Sequence, residues 1–123
     1  MKKLVVFSIA LLLAIPLTSM IVSAADGDAT LSGEPVDITC FLTGKSGEGH
    51  ASCATTCANK GLPIGLLVKD GDKSELYLVL GGGDKSAKDL MAAHMGKQVK
   101  ATGSVTTTNG LKVITVTKVE VSS

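Results

Sequence analysis

The chain has 123 residues, with 12 Lys/Arg against 11 Asp/Glu, three cysteines, no tryptophan and only 2% aromatic residues. Because Lys2 and Lys3 lie in an N-terminal segment without acidic residues, a chain beginning at Ala25 carries a net charge of −1. This charge does not attract nucleic acid or an anionic membrane, and the scarcity of aromatic rings excludes a base-stacking platform.

The first 24 residues have the pattern of a secretory signal peptide. Lys2 and Lys3 precede an apolar run from Leu4 to Leu17, and Val22 and Ala24 occupy the −3 and −1 positions of a cleavage site. The alternative is an uncleaved transmembrane anchor, although polar residues and a proline interrupt the run. We expect cleavage before Ala25, no membrane span afterwards, and a periplasmic or secreted protein.

The remaining chain is long enough for one small domain and too short for two. Residues 25–32 are small and polar without periodicity, which predicts a flexible leader. We therefore predict a signal peptide over 1–24, the leader over 25–32 and a single domain over 33–123.

A strand is predicted from Glu34 to Thr43. Val36, Ile38 and Cys40 alternate with polar residues, so one face of this strand would be apolar. Cys40 would lie on that face, where a cysteine is commonly a small buried hydrophobic residue.

A short helix is predicted from His50 to Lys60, after the glycine-rich turn GKSGEG. Its residues His50, Cys53 and Cys57 have i, i+3 and i+7 spacing, which places them within about 60° of one another on a regular helix. The helix has few large apolar residues, so burial alone holds it weakly. A bound metal or a disulfide would supply the missing stabilisation.

The rest of the chain predicts four strands and one more helix. Asp-Gly and Asn-Gly sequences mark two tight hairpins, and phase changes along the last strand indicate a bulge. The predicted strands are Pro63–Lys69, Ser74–Leu80, Lys97–Thr106 and Leu111–Val121, and the predicted helix is Ser86–Met95.

This order of elements predicts a mainly β (α+β) fold. Five strands with a helix between the third and fourth are typical of a five-stranded OB-like barrel. The short Cys/His-bearing helix would be an insertion between strands 1 and 2. A small open sheet packed on two helices is the alternative.

The cysteines and His50 predict a soft-metal site. Cys40, His50, Cys53 and Cys57 form a Cys3His set, and thiolate and imidazole ligands select a zinc or copper(I) ion. Their spacing, Cys-x9-His-x2-Cys-x3-Cys, differs from that of common zinc ribbons. A closed set of four ligands favours metal binding, storage or delivery over catalysis. The partners expected besides the metal ion are another exported protein or a membrane protein.

Two other functions remain open. Cys53 and Cys57 near a helix start could form a thiol-disulfide redox pair. The cluster could instead be a structural staple in a binding module, as a disulfide or as buried thiols. The odd number of cysteines leaves at least one thiol outside any internal bridge. His94, which lies between Met91 and Met95, is more often a surface or core residue than a ligand.

The pattern HxxCAxxCxxxGxPxGLL, which runs from His50 to Leu67 after Cys40, resembles that of small exported bacterial proteins with an OB-like tail. The segment from Gly96 to Val105 is also similar. The resemblance implies the fold and the location of the site, and it implies no activity. The spacing of Cys53 and Cys57 is also similar to that of Sco-type copper chaperones, which have a thioredoxin fold, so that likeness is confined to the motif.

Overall fold

The computed structural model describes residues 27–122. The predicted signal peptide over 1–24 and the first two residues of the predicted leader lie outside the described residues. Between residues 27 and 122, no helix has the length and apolar character needed to cross a membrane.

Five strands close into a barrel, which confirms the predicted mainly β, OB-like architecture. The order around the barrel is β1-β2-β3-β5-β4, and β4 pairs with β1 to close it. All neighbouring strands are antiparallel except β3 and β5, which are parallel. The strands are β1 Gly27–Asp37, β2 Ile64–Asp70, β3 Lys73–Gly81, β4 Val99–Thr108 and β5 Leu111–Val121.

Helical segments occupy the two predicted connections. Between β1 and β2 lie α1 (Ile38–Phe41), a 3-10 turn (Glu48–His50) and α2 (Ala51–Asn59). Between β3 and β4 lies α3 (Ala87–Met91), followed by a second 3-10 turn. Ser86 caps α3, because its side chain accepts a hydrogen bond from the Asp89 amide and the Asp89 carboxylate accepts one from the Ser86 amide.

The first strand differs from the prediction at both ends. Residues 27–32, predicted to be a flexible leader, instead pair with β4, beginning with Gly27 opposite Val105. At the other end the strand stops at Asp37 rather than continuing to Thr43. The Asp37 carboxylate accepts a hydrogen bond from the Cys40 amide at 2.8 Å and so starts a helical turn. Cys40 therefore lies on α1 rather than on a strand face.

The predicted bulge is present in the last strand. The β4–β5 register passes from Thr102–Lys118 to Gly103–Val116, so Thr117 is the extra residue. A Cβ atom at Gly103 would lie 2.0 Å from the Thr115 carbonyl oxygen, so no side chain fits there.

The hydrophobic core fills the barrel and continues under the helices. Leu66, Ile114 and Val116 are fully buried inside it. The α3 helix adds Leu90 and Met91 to this core, whereas α2 adds only Ala54 and Ala58. The helix that carries two of the cysteines thus contributes little apolar surface to the core.

Candidate metal centre

Three thiols meet between α1 and α2. The Sγ atoms of Cys40, Cys53 and Cys57 all lie within 4.8 Å of one another. All three cysteines are free; Cys53 is exposed, and the other two are half-buried. Thiolates bound to a tetrahedral ion at 2.3 Å are about 3.8 Å apart, so modest side-chain rotation would enclose an ion.

Hydrogen bonds hold both the amide and the carbonyl oxygen of Cys40. Its amide donates to Asp37, while its carbonyl oxygen accepts hydrogen bonds from the Thr43 amide, the Thr43 hydroxyl and the Lys45 amide at 2.8–3.1 Å. These contacts fix the position of Cys40 at the end of β1 although its side chain is only half-buried.

The other two thiols lie one turn apart on α2. Cys53 and Cys57 have i, i+4 spacing and share a helix face, as the sequence predicts. The small residues Ala54 and Ala58 form the buried side of this helix. Just after the helix, Gly61 has a φ of 84° and lets the Leu62 amide donate to the Cys57 carbonyl oxygen. The core therefore holds one side of α2, and the thiol side faces α1.

A nearby carboxylate controls the protonation of Cys40. The pKa of the Cys40 thiol is raised to about 12, chiefly because the Asp37 carboxylate accepts a hydrogen bond from the thiol. Burial and the negative charge of Asp37 act in the same direction. Cys40 is therefore a protonated thiol at neutral pH, and a metal ion must displace this proton in order to bind.

The structure leaves His50 outside the group of converging thiols. His50 precedes α2 and has φ −109° and ψ 0°, at the end of a 3-10 turn. The angular spacing of an α-helix, used to align it with Cys53 and Cys57, therefore does not extend to His50. Its Nε2 atom is buried and has no hydrogen-bond partner.

His50 lines a small pocket beside the thiols. The pocket is too narrow to hold a water molecule. Two acids on its wall come from β1: Asp37 is 1% exposed with Oδ2 unpartnered, and Glu34 is 6% exposed and accepts a hydrogen bond from the Gly47 amide. The pocket is lined by Glu34, Pro35, Val36, Asp37, Lys45, Ser46, Gly47, His50, Ala54 and Gly96.

The two buried acids were not predicted from the sequence. Asp37 is one of the polar residues that alternate with Val36 and Ile38 in the predicted strand, and Glu34 is only its first residue. An aspartate three residues before Cys40 fits an N-cap, and this signal could have identified Asp37. No comparable signal points to Glu34, because its partner is a backbone amide of the glycine-rich turn.

In the part of the chain that the structure describes, His94 does not belong to any converging group of three or more histidine, cysteine, aspartate or glutamate side chains. Met91 and Met95 are buried in the hydrophobic core. His94 is half-buried in the 3-10 turn after α3. Both methionines therefore have a packing role.

Comparison with known proteins found no matching family model, no similar curated protein and no similar solved structure. The site is therefore interpreted from its own geometry and chemistry.

Proposed function

We propose that this protein is exported and binds one soft metal ion, zinc or copper(I), for storage or delivery. Cys40, Cys53 and Cys57 supply the ligands. The observation that carries the proposal is the convergence of three Sγ atoms within 4.8 Å from two separate helices. Thiolates are soft ligands that favour these ions over magnesium or calcium.

The position of the thiols favours exchange of the ion. Cys53 is exposed, so an ion can enter or leave without unfolding of the barrel. The same ion would also fix α2 against α1, since α2 has only two buried residues, Ala54 and Ala58. Metal binding and ordering of this helix are then coupled.

Thiol-disulfide exchange by Cys53 and Cys57 is the competing function. Their free thiols lie close together, which favours it. However, an i, i+4 pair on a regular helix has a Cα separation near the upper end for a disulfide, so the helix would have to distort.

The deciding measurement is metal content together with a free-thiol count. The protein would be purified from the exported fraction without reductant or chelator. We expect about one zinc or copper ion per chain, lost in Cys57→Ser and in Cys40→Ser. Ser52→Ala is the matched control, because Ser52 is an exposed neighbour on α2. Absence of metal, with one free thiol and an internal disulfide, would favour redox or structural bridging.

Export is tested separately by the mass of the recovered protein. The proposal rests on the signal-peptide pattern of residues 1–24. We expect a chain that begins at Ala25 in the periplasmic or secreted fraction. A full-length chain in the membrane fraction would instead indicate a retained anchor.

A further inference from the structure

We infer that the thiol cluster is a three-coordinate copper(I) site, in which Cys40, Cys53 and Cys57 bind the ion and His50 does not. This inference rests on the proposed function and narrows it from zinc or copper(I) to copper(I). Three observations carry it: the number of converging ligands, the environment of His50 and the exposure of the site.

The first observation is the number of ligands. Across residues 27–122, no histidine, aspartate or glutamate joins the three thiols as a fourth converging ligand. Even Asp37, which interacts with the Cys40 thiol, is not a member of the group. The protein thus supplies three sulfur ligands, all from the segment between β1 and β2.

The second observation is that His50 is held elsewhere. The His50 amide donates to the Gly47 carbonyl oxygen at 3.0 Å, and the Gly47 amide donates to the buried Glu34 carboxylate. The turn that carries His50 is thereby tied to β1. Its Nε2 atom is enclosed and lines the pocket with Asp37. Bringing the imidazole to the thiols would require removing it from this pocket.

The third observation concerns the open side of the cluster. Zinc in protein sites is almost always four-coordinate, so three thiolates would leave a position for water beside the exposed Cys53. Copper(I) is a soft monovalent ion that three thiolates satisfy without a fourth ligand. The ligand set therefore matches copper(I) better than zinc.

The charge of the cluster is partly offset by α2. Copper(I) leaves one more negative charge on three thiolates than zinc does. Cys53 lies in the first turn of the nine-residue helix α2, where the amides and the helix dipole stabilise a thiolate.

The inference is tested by anaerobic titration of the metal-free, reduced protein with copper(I) against a chromophoric copper(I) chelator. We expect one copper(I) ion per chain. His50→Gln should change the affinity by less than about tenfold, the smallest loss typical of an outer-shell partner. Cys57→Ser should lower the affinity by more than roughly 100-fold, beyond the outer-shell range. His94→Gln is the matched control, because His94 lies outside the thiol group.

X-ray absorption of the copper-loaded wild type gives a readout that needs no variant. Three sulfur scatterers and no nitrogen at bonding distance are expected. A nitrogen scatterer, or a loss in His50→Gln as large as that in Cys57→Ser, would overturn the three-coordinate inference and leave the metal-binding proposal intact. Retention of zinc in the presence of equimolar copper(I) would overturn the choice of ion. If Cys57→Ser changed the binding of neither metal, the proposed function itself would fail.

Discussion

The barrel and the segment that carries the cysteines are held together in different ways. The barrel has a continuous core and strand ladders that close on themselves. The cysteine segment, residues 38–62, has only two buried residues, Ala54 and Ala58. Apolar burial therefore stabilises the scaffold, whereas polar contacts position the site.

Two of these polar contacts come from acids on the barrel. Asp37 holds the Cys40 amide, and Glu34 holds the Gly47 amide, and both acids belong to the end of β1. The Gly96 amide, in the connection before β4, also donates to the Pro35 carbonyl oxygen beside them. One barrel strand thus presents two buried carboxylates to a segment that lacks a core of its own. Mutations in the site and mutations in the barrel should therefore affect the stability of different regions.

The largest effect should come from the barrel core. Ile114 is fully buried, so Ile114→Ala should lower the free energy of unfolding by about 2–5 kcal/mol. Chemical denaturation measures this loss. Leu111→Ala is the control, because Leu111 on the same strand is 53% exposed and should change stability by less than about 0.5 kcal/mol. Equal effects of the two variants would contradict the assignment of the core.

A smaller and local effect is expected from Glu34→Ala. Removal of the acceptor leaves the Gly47 amide unsatisfied, which typically costs about 1–3 kcal/mol. Hydrogen exchange should accelerate at Gly47 and along α2, with little change in β4 and β5. Glu34→Gln is the matched control because its side-chain carbonyl can still accept the bond. If the barrel amides accelerated as much as those of α2, the two regions would not be separable.

Asp37→Asn tests whether the carboxylate charge of Asp37 controls the reactivity of the Cys40 thiol. In a chain with Cys53→Ser and Cys57→Ser, Cys40 is the one remaining thiol. Its alkylation at pH 8 should be slow, because Asp37 raises the pKa of this thiol to about 12. Asparagine keeps the helix cap and removes the charge, so alkylation should accelerate by roughly tenfold or more.

Asp72→Asn, in the β2–β3 turn, is the control for this measurement. An unchanged rate in Asp37→Asn would mean that the carboxylate does not govern Cys40.

The smallest expected effect is on the pH dependence of stability, because solvent screens the charge interactions of the half-exposed Cys40 thiol. The pKa of Cys40 rises from 9.0 to about 12 in the folded chain, so folding favours the protonated thiol. The stabilisation of the folded chain by the protonated thiol is fully present below pH 9 and is lost as the pH rises through 12. The metal-free wild type should therefore lose stability relative to Cys40→Ser over that window. Denaturant midpoints at several pH values measure the difference, and a constant difference would argue against the shifted pKa.

The architecture of the barrel was predictable because its strands carry local signals. Apolar runs on either side of the Asp70-Gly71 turn marked β2 and β3, alternation marked β4, and Asn109-Gly110 marked the last hairpin, where both residues have positive φ. The start of β1 has a much weaker local signal. Within residues 27–32 only Ala29 and Leu31 alternate with polar residues and pack partly against the core, and the segment forms a strand because β4 pairs with it. That pairing is a tertiary contact, which a local reading of the sequence does not detect.

The candidate site was predictable in part. The three cysteines were identified from their helical spacing and composition, although Cys40 was assigned to a strand because Val36, Ile38 and Cys40 alternate. The placement of His50 depended on where α2 begins, and a shift of one residue removes it from the helix. The role of Glu34 depends on how the glycine-rich turn folds back over β1, for which the sequence carries no local signal.

The direction of β1 also places the N-terminal end of this strand far from the cysteines along the chain. Gly27 lies opposite Val105, whereas Asp37 lies beside the thiols, so ten residue steps of strand join the two ends. At about 3.3 Å per residue, this path is on the order of 33 Å. An affinity tag or other tether joined before Gly27 would therefore be attached to the end of β1 that is remote from the thiols.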